Sequence, residues 1–466
     1  MPAVEPEGYY GHHIVLPPNK QQRKALLKIA PPSPSEYRLR IMFSIAHCSR
    51  LFAVILALIG ATATAQDHRT APVLSAQPLA QDYQVLFKAP QPHIYTGAAS
   101  LVHLPGGRLL SSNGLFTRVD REAGHPDREI ETVFRVSRDH GASWEPRGSV
   151  PLGDGLPFVH RGKLYFLCNG PGRQNIVLVQ SDDEGATWSE PVVLFEGRFW
   201  NTFASHVVDN NTLYWSLGTS NAEGDFNRRG SGVVVVAGDL SAADLMSPAA
   251  WRMSAPLRYP GTPAGLTSSL HPPSQPNWGD HWLEPNVIRV DGKLRVLVRL
   301  RLDGMATAHM CAVCSLEDDG GVLDLQFTQF HPMPGAQCYF CILRDEVTGY
   351  YWTVVNMPTN SQDIAWGEKL NREGFLGTAG NERRILMLLY SRDALNWFQA
   401  GCVALWPSPL QGFQYAVPLI DGDDMLITSR TSKERKNQHD NDLITLHRVA
   451  DFRKYALNLW PGERAE

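Results

Sequence analysis

Residues 137–144 read Ser-Arg-Asp-His-Gly-Ala-Ser-Trp, and residues 181–188 read Ser-Asp-Asp-Glu-Gly-Ala-Thr-Trp. Both fit the frame Ser-x-Asp-x-Gly-x-Ser/Thr-Trp, and an alternating apolar run precedes each, at 132–136 and 175–179. A worn third copy, Ser391, Arg392, Asp393, Ala394, Leu395, Asn396, Trp397, also follows an apolar run. The frame has the chemistry of a hairpin tip. Asp accepts from the amides that follow it, Gly takes a positive φ, and Ser or Thr adds a local side-chain bond. Trp then opens the next strand with a large apolar face for a neighbouring sheet. Repetition of such a device predicts stacked, equivalent four-stranded sheets, hence an all-β propeller.

Hairpin signals elsewhere extend the pattern to six units. Their first turns are Pro105-Gly106-Gly107, Arg161-Gly162-Lys163, Asp209-Asn210-Asn211, Asp291-Gly292-Lys293, Glu346-Val347-Thr348-Gly349 and Asp421-Gly422-Asp423. Each lies between apolar runs and carries the Gly, Asn or Asp that a tight hairpin needs. Residues 83–87 form a strand with no hairpin partner after them. They are expected to join the last unit and cover its edge.

The chain has 466 residues, 43% apolar and 19% charged, enough for one large domain. A net charge of -4 gives no reason to expect nucleic acid as a partner. Gly (39), Pro (33) and Trp (12) suit short strands and tight turns. Residues 51–61 are apolar, follow Arg50 and precede Ala63-Thr64-Ala65. That is the grammar of a secretory signal, too short to span a bilayer. Residues 42–65 are therefore read as the signal, with Met42 as the favoured start, and the Pro-rich stretch 1–41 is excluded from the fold. The expected mature domain is 66–466, a monomer without a membrane anchor, secreted or periplasmic.

The repeated frame resembles the Asp box of the sialidase superfamily. The resemblance implies a six-bladed sialidase-like propeller. It says little of chemistry, because in that family these boxes lie away from the active site. Further residues resemble the family's site. Glu284-Pro285-Asn286-Val287 opens a leading strand and Arg299 ends its return, which is similar to the family's Glu and second Arg. Arg383, with Arg384 as the neighbouring choice, lies where the third Arg stands. Tyr415, in Gly-Phe-Gln-Tyr-Ala-Val-Pro-Leu, opens the sixth unit where the family carries its nucleophile.

The implied chemistry is coherent. A carboxylate nucleophile is repelled by an acidic sugar, whereas a neutral phenol deprotonated by a nearby Glu is not; sialidases are an exception to two-carboxylate glycoside hydrolysis. Arginines bind the sugar's carboxylate in two-toothed fashion. Two departures stand out. The stretch 95–101, where the first Arg is expected, contains none, and Ser429-Arg430 stands where that Arg's supporting Glu is expected. Arg430 is accordingly read as a replacement for the lost charge, so that Arg299, Arg383 and Arg430 bind the sugar. For the acid/base, Asp127 is chosen over Asp120 and Glu129 in the loop before the first Asp-box strand.

Secondary candidates are polar groups at strand beginnings and in loops: His93, Asn201, His206, His271, His281, His439 and Asp440. Trp278 and Trp282 are candidates for stacking on a sugar, and the insert 259–282 for a substrate-contacting loop. Cys311-x-x-Cys314 and Cys338-x-x-Cys341 have zinc-ribbon spacing, but strand residues three apart face opposite sides and cannot converge on a metal. A disulfide or buried thiols are expected instead, and no metal or cofactor. The leading functional expectation is an exo-acting glycoside hydrolase on terminal acidic sugars of a glycan. The alternatives are a propeller lyase on uronate glycans and a glycan-binding propeller without catalysis.

Overall fold

The computed structural model describes residues 76–117, 128–200, 205–220, 232–263, 280–302, 309–359, 382–408, 410–434 and 438–460. The expected leader and extension, 1–65, lie outside the described residues. So do Asp120, Asp127, Asn201, His271 and Trp278, with 264–279 of the insert.

Every described strand pair is antiparallel, and the sheets follow chain order. The first holds Ile94–Leu104, Arg108–Thr117, Arg128–Ser137 and Glu145–Val150. A nine-stranded sheet follows, which joins two of the expected units: Gly155–His160 to Val192–Trp200, and Val207–Asp209 to Trp251–Met253 with Leu257–Arg258. The junction is the pairing of Phe199 and Trp200 with Thr219 and Gly218. Three four-stranded sheets complete the chain, led by His281–Val290, Ile342–Arg344 and Gly412–Asp421. As expected, the N-terminal strand Gln84–Lys88 pairs with the last strand, Leu443–Val449.

The turns are those the sequence specifies. Arg161-Gly162 and Asp291-Gly292 are two-residue loops with positive φ at both positions, 49° and 77°, then 48° and 74°. That is the primed geometry whose twist matches the strands. In the first two Asp boxes, Asp139 and Asp183 each accept the backbone N–H and the hydroxyl of the residue four on, Ser143 and Thr187, at 2.6–2.9 Å. These donors, those of Ser143 and Thr187 foremost, hold both carboxyls down to about 2.

Alternation along the strands then builds the core. On Gly232–Asp239, Val233, Val235 and Ala237 face the unit that follows, while Val234 and Val236 face the preceding unit within the same nine-stranded sheet. Equivalent apolar seams lie between each successive pair of units, and one joins the last unit to the first through Leu426, Ile444, Leu446, Ala99, Leu101 and Leu109. The Asp-box tryptophans Trp144, Trp188 and Trp397 each pack into the seam with the preceding unit. The same alternation sends Cys311 and Cys314 into different seams. No disulfide joins the described cysteines, so for Cys311, Cys314, Cys338 and Cys341 the expected alternative of buried thiols is the one observed.

Buried amides tie the leading strands at one level. Asn286 accepts from Ser205 Oγ and Ile342 N–H, both at 3.2 Å, and donates to Phe340 O at 3.1 Å. Asn356 Nδ2 donates to Phe413 O at 2.7 Å and Ile385 O at 3.2 Å. Both amides bond backbone groups at strand starts, and Asn356 in this way holds the start of the strand that carries Tyr415.

Candidate functional site

The leading strands that start at His281 and Gly412 break register at Leu283/Pro285 and Gln414/Val417. The residues in these bulges, Glu284 and Tyr415, have left-handed backbone, φ 56° and 49°. Neither residue type favours that region, and such strain costs on the order of 1–3 kcal/mol where the surroundings impose it. A bulge re-aims a side chain. Here two bulges bring a phenol and a carboxylate together.

Tyr415 Oη donates to Glu284 Oε1 at 2.6 Å. The other oxygen, Oε2, accepts from Arg299 Nη1 at 2.5 Å, and Arg299 Nε donates to Gln337 O at 3.0 Å. All three side chains are buried: Glu284 is 1% exposed, Arg299 2% and Tyr415 6%. Burial raises the Tyr415 hydroxyl above the ordinary phenol range and Glu284 adds to it, while Arg299, Arg383 and Arg430 oppose. Burial disfavours the Arg299 cation, but Glu284 and then Tyr415 outweigh it and hold its pKa above the usual value.

Two more arginines approach the Tyr415 ring. The guanidinium carbon of Arg430 lies 5.0 Å from its centroid and that of Arg383 lies 5.6 Å away. Arg383 donates to Gln414 Oε1, and Gln414 Nε2 donates to His439 O and Asn441 Oδ1. Arg430 Nη2 also donates to His439 O, at 3.3 Å. Gln414 therefore fixes one guanidinium and the loop that holds the other. His439 Nδ1 contacts Asp440 Oδ1 at 2.9 Å. Burial, with help from Arg383 and Arg430 and against Asp440, holds this imidazole down to about 3, so it is neutral at neutral pH.

Of the residues singled out from sequence, the structure brings together Tyr415, Glu284, Arg299, Arg383 and Arg430, with His439 and Asp440 beside them. Arg299 differs from expectation. Its described partners are Glu284 and the Gln337 carbonyl, which makes it the counter-ion of the carboxylate, a role that the expectation of a sugar contact did not include. Trp282 differs too: it is fully buried in the seam between the third and fourth units, edge-on to Tyr259 at 5.6 Å and near Phe327, with no face left for a sugar. His281 is likewise fully buried. Arg384 turns away to Glu382 and Thr359, leaving Arg383 as the inward one.

Three features had no signal in a motif. Gln414 is one. Tyr339 is another: its ring stacks on Tyr415 with centroids 4.8 Å apart and planes at 25°. The third is Asp154, whose Oδ2 accepts the Ala98 N–H at 3.3 Å and whose carboxylate lies against two glycines. A Cβ at Gly97 would sit 2.6 Å from Asp154 Oδ1, and one at Gly114 would sit 1.8 Å from it. The stretch that lacks the expected first Arg is thus small because a carboxylate from the next unit occupies the space. The run of small residues Gly97-Ala98-Ala99-Ser100 is a readable hint, but the occupant is not.

No family model and no curated protein match this chain. Solved structures do. A protein of unknown function from Dyadobacter fermentans aligns over 80% of this chain and 98% of its own at 11% identity, with a TM-score of 0.50. The Penicillium chrysogenum alpha-L-arabinanase, complexed with arabinobiose, aligns over 80% and 99% at 14% identity and 0.46. The Streptococcus pneumoniae NanB sialidase aligns over 79% and 70% at 10% identity and 0.49. At such identities the likeness is one of fold.

Proposed function

We propose that this chain is a secreted, exo-acting glycoside hydrolase of sialidase type, a six-bladed propeller that releases a terminal acidic sugar through Tyr415. The observation that carries the reading is the 2.6 Å bond from the Tyr415 hydroxyl to a buried Glu284 whose second oxygen is held by Arg299. A phenol is a weak nucleophile unless a base takes its proton. Glu284 is within transfer distance, and the bond from Arg299 to its other oxygen keeps it pointed at the phenol. Tyr415 attacks the anomeric carbon as its proton passes to Glu284, the bond to the leaving oxygen breaks, and water later releases the sugar. Asp127 is assigned as the acid that protonates the leaving group on its place in the sequence alone. Arg383 and Arg430, both at the Tyr415 ring, suit a carboxylate on the reacting carbon.

Release of fluorophore from an α-sialoside, a glucuronide and an arabinofuranoside by wild type and Tyr415→Phe tests the reading. It requires turnover of an acidic substrate that the variant loses. Preference for the neutral sugar, or turnover that survives the substitution, would sink it. A second reading, a lyase acting on uronates, is favoured by the neutral His439 imidazole held by Asp440 beside both arginines. An unsaturated, ultraviolet-absorbing product would select it.

A further inference from the structure

The most unusual group around Tyr415 is the second phenol. Tyr339 precedes the leading strand Ile342–Arg344 and is 2% exposed. Among the described residues its hydroxyl has no hydrogen-bond partner. The Cys341 thiol, Glu284 and Tyr415 are all close enough to act on it. A buried donor left unmade costs on the order of 1–3 kcal/mol. Phenylalanine would fill the same space, keep the stack on Tyr415 and avoid that cost. A retained orphan of this kind asks for a reason, and the neighbouring chemistry supplies one.

In the resting state the Tyr415 oxygen carries its own proton and gives it to Glu284. Once that proton has moved, the oxygen is an anion in a buried setting and needs donors. The protonated Glu284 returns one bond. The charged groups around Tyr415 come from three units: Glu284 and Arg299 from the fourth, Arg383 from the fifth, Arg430 from the sixth. Arg299 is turned to Glu284 and Arg383 to Gln414. The group with an uncommitted O–H, stacked ring to ring on Tyr415, is Tyr339.

We propose that Tyr339 is a positioning residue for Tyr415, its ring fixing the plane of the nucleophile and its vacant hydroxyl donating to the Tyr415 oxygen when that oxygen becomes a phenolate. The inference rests on the reading of Tyr415 as nucleophile, but it concerns ionisation and needs no turnover to be tested. No atom is transferred by Tyr339. It gives a hydrogen bond that the resting state lacks, which lowers the barrier to forming the anion without binding the ground state more tightly.

The test places 3,5-difluorotyrosine, a more acidic phenol, at position 415 of the full chain and follows its ionisation by fluorine NMR. This is done with Tyr339 present and in Tyr339→Phe. A hydrogen bond to a charged group corresponds to a midpoint roughly one pH unit lower with Tyr339 than without it. The Phe variant should keep or gain thermal stability, since it loses an orphaned hydroxyl, and Tyr339→Leu should lose it with the stack. Coincident midpoints, or no ionisation in either protein, would overturn the proposal. A shifted midpoint in a protein that turns over no glycoside would leave Tyr339's role intact and remove the hydrolase reading instead.

Discussion

The Tyr415 hydroxyl and the Glu284 carboxylate meet at 2.6 Å across two strands that both bend at those residues, with left-handed φ of 49° and 56°. The Tyr415 ring packs in a small buried cluster with Ala98, Tyr339, Cys341 and Val417, whereas the Glu284 carboxylate is held by its pair with Arg299. The two residues therefore differ in what their loss should do. Tyr415→Phe removes one hydrogen bond and should cost about 1–2 kcal/mol of stability while reducing turnover by about two to four orders of magnitude. Glu284→Leu removes the partner of a fully buried Arg299 and should cost about 3–5 kcal/mol. Denaturant unfolding of the two variants checks the ranking; equal losses would mean that Arg299 finds another acceptor.

Arg383 and Arg430 stand at 5.6 and 5.0 Å from the same ring and come from different strands. If both serve one carboxylate, removal of either should weaken an acidic ligand by about 10- to 150-fold, the worth of a charge-assisted bond of roughly 1.5–3 kcal/mol. Arg430→Leu and Arg383→Leu should do so through KM more than kcat, and a neutral sugar should be affected much less. Calorimetric titration of an acidic sugar into each variant measures it. An Arg430→Leu protein that binds as wild type would remove the idea that this residue replaces the arginine missing from 95–101.

Much of this was legible in the chain. Turns of the Asp-Gly and Arg-Gly kind require positive φ at fixed places, so the hairpins and their order could be read directly. Tyr415 and Glu284 were readable because a resemblance points at strand beginnings. Partnership was not. A sequence places Arg299 on the strand that returns from Glu284, but whether its guanidinium faces a ligand or the neighbouring carboxylate depends on a bulge that shifts register by one. The same shift decides Trp282, two residues before Glu284, whose ring goes to the seam. Tyr339 and Gln414 carry no motif. Their roles arise from which strand beginnings three-dimensional packing sets side by side.

Gly114 and Asp154 offer a test of how the wall of the first sheet is built. A Cβ at 114 would lie 1.8 Å from Asp154 Oδ1, closer than any real contact, so Gly114→Ala must expel the carboxylate. The single substitution should cost about 1–3 kcal/mol through overpacking. Asp154→Ala in the same chain should recover most of it, giving a coupling energy well above the error of a double-mutant cycle. Additive losses in thermal and denaturant unfolding would show that the wall yields elsewhere.

Stability should fall on mild acidification, and His447 is a defined contributor. It is fully buried, its Nδ1 donates to Ala80 O at 2.8 Å, and its ring packs against Tyr83 and Phe413. Burial holds it down to about 4, well below the ordinary 6.5. A folded-state value below the unfolded one means that the unfolded chain binds the extra proton first. The contribution is complete above pH 6.5 and is lost as pH falls toward 4, by about 3 kcal/mol at most. His447→Gln, which keeps a donor for Ala80 O, should flatten the dependence of unfolding free energy on pH between 6.5 and 4. An unchanged slope in that variant would assign the acid sensitivity to other groups.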